Sequence, residues 1–341
     1  GTVGDIEGLP YLEAIRQLAG RIGRENILYC HVTLVPYIAA SGELKTKPTQ
    51  HSVNELRRIG IQPDLIVCRS QYPVGRDLRD KIGLFCSVMP DCVFEAIDAD
   101  SIYRIPAILH KQDFDTMALR KLGLDTSVQP DMEDWNTFLE KYDHLKGEVT
   151  VALVGKYTEI KDAYLSVNEA IAHAGIANGV KVCVMPVEAE DLENGPPEEI
   201  LSKADAILVP GGFGQRGVEG KIAAAKYARE NKVPYFGLCL GMQVAVIEFA
   251  RNVLGLNRAN SLEMDEMTPH PVIHYMEGQK NISDIGGTSR LGAYPCELRK
   301  GTMAHFIYGA DTISERHRHR FEFNNQYMEL FEKAGMVVAG V

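Results

Sequence analysis

Apolar positions return at helical spacing at Leu12, Ile15, Leu18, Ala19 and Ile22, which predicts a helix behind a glycine-rich opening. β-Forming residues dominate 27–36, and residues 64–68 and 93–97 are short apolar runs of strand length. A polar loop at 41–50 closes on a helix predicted near 51–60, and another helix is predicted to begin at 80–85. The pattern breaks at 126–147, where charges, Pro130 and the only Trp predict a linker with a helix inside it. It resumes with the apolar run 149–155, followed by strands predicted at 180–185, 206–209 and 234–238. Helices are predicted near 163–177, 221–230 and 243–251, and a last strand within 335–341. Strands alternating with helices predict an α/β fold in two domains, 1–125 and 148–341, each a mainly parallel sheet with flanking helices. Function in such a sheet sits in the loops at the strands' C-terminal ends.

One stretch carries more than periodicity. Residues 233–238 form a short strand that runs through Cys239 into an apolar helix, with Gly237 and Gly241 bracketing the thiol. That is the spacing of a nucleophile elbow, with Cys where hydrolases carry Ser. The glycines are needed because a strand turning into a helix within a few residues leaves no room for side chains. The helix N-terminus then points at the thiol and is expected to favour its thiolate. The plain alternative is a small buried core cysteine. A second loop, Pro210-Gly211-Gly212-Phe213-Gly214, follows another buried strand. Its Gly212 N–H, with that of Leu240, is placed to form an oxyanion hole; a simple turn is the competing reading. The loop holding Lys45, Thr46, Lys47, Pro48, Thr49 and Gln50 offers two ammonium groups and hydroxyls ahead of a helix, suited to a triphosphate. A surface turn would look the same.

Charge and cysteine use narrow the class. The 341 residues carry 36 basic and 46 acidic side chains, a balance of −10 that argues against nucleic-acid or anionic-membrane partners. The seven cysteines, at 30, 68, 86, 92, 183, 239 and 296, have no CxxC spacing and are expected to be thiols of a cytoplasmic protein. No apolar run reaches membrane-spanning length, and the start has no signal-peptide pattern. The first residues lack Met and sit inside a glycine-rich loop, and the last sit inside an expected strand, so both ends read as cuts in a longer protein.

The segment 236–243 together with 210–214 resembles a class I glutamine amidotransferase domain. Arg316-His317-Arg318-His319-Arg320-Phe321-Glu322, the lysine loop and Gly1-Thr2-Val3-Gly4-Asp5-Ile6-Glu7 extend the resemblance to the CTP synthase family, over essentially the whole chain. The resemblance implies a P-loop-NTPase-like synthetase part that uses ATP to activate UTP, and an amidotransferase that supplies ammonia from glutamine through an internal channel. It makes Cys239 the nucleophile and assigns glutamine contacts to Gly212, Leu240, Gly241, Met242, Gln243, Glu263 and Arg320. Asp5, Ile6 and Glu7, the residues Lys45 to Gln50, and Lys81 fall to the UTP and CTP site, and Ile97, Asp98 and Ala99 to ATP. It further implies Mg2+ with ATP, its ligands upstream of Gly1, GTP as an allosteric activator, and assembly into tetramers and filaments. Two departures stand out. No Gly-x-x-x-x-Gly-Lys-[Ser/Thr] phosphate loop is present, and the family's His-Pro-Glu segment, which completes the cysteine's triad, is missing, so the piece alone is expected to be inactive. Two other classes compete: a stand-alone cysteine hydrolase, against which the nucleotide loops speak, and a purely structural role in assembly.

Overall fold

Short runs of buried aliphatic residues organise each part of the chain. The computed structural model describes residues 2–160, 162–276 and 290–341, so Gly1 of the opening motif lies outside the described residues. The chain divides into two compact units, Gly1–Glu140 and Lys141–Val341.

In the first unit, helix α1 (Leu9–Ile22) carries Pro10 in its first turn, where the missing N–H costs nothing. Strand β1 (Cys30–Leu34) follows, then a small hairpin of β2 (Tyr37–Ile38) and β3 (Glu43–Leu44). Helix α2 (Lys47–Arg58) begins earlier than expected. Pro48 in its first turn pre-sets the helical φ, so Lys47 to Gln50 are helix and not loop. Strand β4 (Leu65–Ser70), helix α3 (Gly75–Cys86) and strand β5 (Val93–Ile97) complete a parallel sheet of order β1-β4-β5. The central strand is the apolar one, as a strand covered on both faces must be: Leu65, Ile66, Val67 and Cys68 are all buried. Val53 of α2 and Ile82 of α3 pack on it, and each such buried side chain contributes roughly 1.5–3 kcal/mol. Helices α4 (Ile105–His110) and α5 (Phe114–Lys121) were not anticipated, because their apolar positions are too few for a clear period. Phe114 meets Phe94 edge-on at 5.0 Å. Helix α6 (Glu133–Asp143) lies within the stretch read as linker, and Trp135 donates its indole N–H to the Tyr103 carbonyl at 2.9 Å.

The second unit opens with β6 (Glu148–Gly155), α7 (Leu165–Asn178) and β7 (Lys181–Glu188), then two short helices, α8 (Asp191–Asn194) and α9 (Pro197–Leu201). Strand β8 (Ala206–Val209), helix α10 (Val218–Asn231), strand β9 (Tyr235–Gly237) and helix α11 (Leu240–Asn252) follow. The sheet is parallel throughout, in the order β7-β6-β8-β9. Ala152 and Val154 of β6 and Ile207 and Val209 of β8 pack with Ala224 of α10 and Leu240, Val244 and Ile247 of α11. Beyond α11 the chain forms a smaller sheet from β10 (Asn260–Ser261), β11 (Pro271–Tyr275) and, later, β14 (Phe321–Phe323). Between them β12 (Arg290–Glu297) and β13 (Thr312–His319) pair antiparallel, connected through α12 (Met303–Tyr308), and α13 (Met328–Lys333) follows β14. The arginine-rich segment 316–322 thus lies mostly in strand β13, with Phe321 and Glu322 in β14. The strand expected within 335–341 reduces to a bridge between Gly340 and Leu298, where Glu297 and Val341 exchange backbone hydrogen bonds of 2.8 and 3.0 Å. Among the described residues no helix is long and apolar enough to cross a membrane.

Candidate active site

The elbow is built by contact between backbones. Leu238 N–H donates to the Val209 carbonyl at 2.9 Å and ties the turn to β8. A Cβ on Gly241 would overlap that same Val209 carbonyl, and a Cβ on Gly237 would run into the Gly241 carbonyl. Tyr235 closes the corner from beneath, its hydroxyl donating to Gly241 O at 2.8 Å. Squeezed between these contacts, Cys239 adopts φ 54°, ψ −104°, a conformation an L-residue holds only when its surroundings impose it.

Two backbone N–H groups face the sulfur. Those of Leu240 and Gly212 both act to pull the Cys239 pKa down, but burial outweighs them and pushes the thiol above the ordinary cysteine range, with Glu263 adding to the rise. The expectation that the helix end would make the thiolate the favoured form is thus corrected: the N–H contribution is present and burial wins. Gly211 lies close by, where a Cβ would be in contact with the Cys239 Cβ at 3.4 Å.

Cys239 opens into a cavity of about 470 Å3 whose walls include Gly212, Gln243, Glu263 and Arg320. The structure therefore brings together residues that lie as far as 108 positions apart, 212 to 320. Glu263 is anchored by accepting from Gly214 N–H at 3.3 Å. Leu240 is buried beneath the elbow, and Met242 lines a second, smaller cavity of about 170 Å3 on which Cys239, Gln243, Arg290 and His319 also open. Opposed carboxylate and guanidinium on one cavity wall suit an amino acid's ammonium and carboxylate. Phe213, within the glycine loop singled out above, is also a wall residue, whereas reading the sequence missed Glu266 and Tyr275; nothing in local pattern marks those two, because their place depends on how distant segments fold back. It also missed His319 as a wall residue of both cavities. Burial, the His317 ring and Arg290 hold its imidazole below the ordinary histidine range. Lys156 was missed too: its ammonium donates to the carbonyl of Phe213 at 3.0 Å and pins the loop that carries Gly212.

In the first unit the lysine loop and Ile97, Asp98 and Ala99 lie at the same edge of the sheet, beyond the C-terminal ends of β1 and β5. Lys45 pairs with Glu43 at 2.5 Å, and both Lys45 and Lys81 hold that carboxylate below its ordinary range. Lys47 and Pro48 are exposed. Thr46 and Thr49 are buried and spend their hydroxyls internally, Thr46 accepting from Gln50 at 3.1 Å and Thr49 donating to Leu34 O at 3.3 Å. Asp98 lies 3.8 Å from Arg69. Asp5, Ile6 and Glu7 are exposed in the turn before α1, with the Asp5 carboxylate accepting from Thr2 N–H at 3.2 Å.

Residues 1–124 match the family described as CTP synthase N-terminus, and residues 159–341 match glutamine amidotransferase class-I. The chain is 56% identical over 340 residues to the CTP synthase of Carboxydothermus hydrogenoformans and 52% identical over 341 residues to that of Flavobacterium johnsoniae. In each case all of this chain is covered, but only 63% and 64% of the relative. Among solved structures it is similar to the glutaminase domain of Trypanosoma brucei CTPS with bound acivicin, at 43% identity and a TM-score of 0.52, covering 57% of this chain and 75% of that one. A cysteine elbow alone would leave the family open; with the amidotransferase match over that elbow and the other match ahead of it on one polypeptide, the chain belongs to the CTP synthase family and carries a class I glutamine amidotransferase domain.

Proposed function

We propose that Cys239 hydrolyses glutamine and that the ammonia released aminates UTP to CTP at the first unit, in an ATP-dependent reaction. The observation that carries this is the pair of N–H groups of Gly212 and Leu240 facing the sulfur, above a cavity walled by Glu263 and Arg320. Arg320 takes the glutamine α-carboxylate and Glu263 its α-ammonium, which sets the side-chain amide at the sulfur. The thiolate attacks the amide carbon, and the carbonyl oxygen becomes an oxyanion held by the two N–H groups. The C–N bond breaks, the nitrogen leaves as ammonia with the proton given up by the thiol, and water hydrolyses the thioester to glutamate. Gly241, Met242 and Gln243 complete the glutamine site.

The nucleotide roles follow the same logic. Lys45, Lys47 and Lys81 neutralise the triphosphate of UTP, or of CTP as product inhibitor, while Asp5, Ile6 and Glu7 meet base and ribose. Ile97, Asp98 and Ala99 meet the adenine of ATP. Mg2+ accompanies ATP in this reading; among the described residues no three His, Cys, Asp or Glu side chains converge to hold a metal. GTP activation, assembly into homotetramers, a cytoplasmic location and domain limits of 1–125 and 148–341 around a 126–147 linker belong to the same reading.

The test is Cys239→Ala in the full-length natural protein, assayed with glutamine and with ammonium at a pH that leaves some free ammonia. Glutamine-driven CTP formation is expected to disappear and ammonia-driven formation to persist. Equal loss of both would refute the division of labour.

A further inference from the structure

Lys221 is a charged side chain that this chemistry leaves unused. It is 1% exposed at the fourth position of α10, and among the described residues it has no hydrogen-bond or ion-pair partner. Its surroundings are hostile to an ammonium. Burial and the neighbouring Lys156 drive its pKa down to about 8, and the positive end of α10 lies beside it. The carboxylate that attracts it, Glu188, is already engaged by the backbone N–H and hydroxyl of Thr158. A lysine kept in such a place destabilises the fold unless another role offsets it.

The side chain has no freedom to be elsewhere. A Cβ on Gly220 would overlap the Ala189 carbonyl, and one on Gly217 would sit 2.9 Å from the Ala189 Cβ, so the first turn of α10 is pressed against the end of β7. From that fixed start the side chain reaches under the loop after β8. A Cβ at Gly212 would lie 3.7 Å from Lys221 Nζ and 3.5 Å from Leu240 Cδ2. The ammonium is therefore packed behind Gly212, one of the two residues whose N–H groups face the Cys239 sulfur.

We infer that Lys221 is a positioning residue for the oxyanion site: its buried side chain packs behind Gly212, backs the loop that presents the Gly212 N–H to the sulfur, and adds a positive field where the tetrahedral oxygen forms. A full charge in a water-poor interior acts at this range with little screening. The inference deepens the glutaminase reading and rests on it.

The experiment measures glutamine hydrolysis by the full-length natural protein, comparing Lys221→Met and Lys221→Gln with the parent and with Cys239→Ala. Both Lys221 variants are expected to lose about tenfold or more in kcat, with KM for glutamine within about threefold. Alkylation of Cys239 by iodoacetamide is expected to slow in both variants, because the Gly212 N–H that favours the thiolate is no longer backed toward the sulfur, and the melting temperature of the Met variant is expected to equal or exceed the parent's. A role confined to fold stability would move the melting temperature and spare kcat. A smaller loss of kcat in either folded variant overturns the inference, and so does failure of both variants to fold, which would make Lys221 structural. If the parent does not hydrolyse glutamine, or Cys239→Ala still does, it is the glutaminase reading that fails. If those controls behave and kcat survives at 221, this inference alone is lost.

Discussion

At the scale of single residues, Cys239 is caught between two opposing influences. Leu240 and Gly212 offer it N–H groups, and the buried site denies its negative form solvation. Because burial wins, the thiol's pKa lies above the ordinary cysteine range, and its reactivity is expected to grow as pH rises. Iodoacetamide labelling of the Cys239 peptide in this chain, followed by mass spectrometry across pH, is expected to inflect above the ordinary cysteine value. An inflection near or below pH ~7 would mean that a base or cation outweighs burial. The sequence made this cysteine conspicuous through its flanking glycines, since bare positions at fixed spacing record a steric demand. It could not reveal the outcome of the electrostatic contest, which depends on Glu263 and on burial set by distant segments.

At the scale of elements, the corner between β9 and α11 leaves no room for a side chain at either of its glycines. Gly241→Ala would put a methyl group into the Val209 carbonyl and force β8 and α11 apart. The expected cost is about 3 kcal/mol, read as a lowered denaturation midpoint with an unchanged slope. A loss under ~1 kcal/mol would show that the corner yields easily. Among the parallel strands before residue 240, the central β4 and β8 were the most legible because nearly all of their residues are buried, which leaves uninterrupted apolar runs such as Leu65 to Cys68. Strand β13 was not. Its sequence, Thr-Ile-Ser-Glu-Arg-His-Arg-His, has one strong apolar β-former, and its residues are half-buried or exposed. Eight register pairs with β12, from Arg290 opposite His319 to Glu297 opposite Thr312, hold it extended. Such pairing is invisible to local pattern. The start of α2 was misjudged for the opposite reason: a polar, lysine-rich run looks like a loop unless Pro48 is taken as a helix opener.

At the scale of the whole molecule, a chain with a formal balance of −10 gathers Arg290, Arg318 and Arg320 around one small region. In the proposed reading, zwitterionic glutamine carries no net charge, so long-range attraction would contribute little and recognition would fall to contacts inside the cavity. The backbone at Cys239 has a consequence of another kind. At φ 54°, ψ −104° a glycine would rest more easily than any residue with a side chain. Cys239→Gly is therefore expected to melt higher than Cys239→Ala, which keeps the constraint, by the equivalent of about 1 kcal/mol. Equal melting points would mean that the angle carries no penalty. If the difference holds, selection has two opposed demands at a single codon. A lineage that no longer needed this chemistry would drift toward glycine at 239 and grow sturdier as it went silent, so the cysteine's persistence in a sequence becomes a mark of a site still in use.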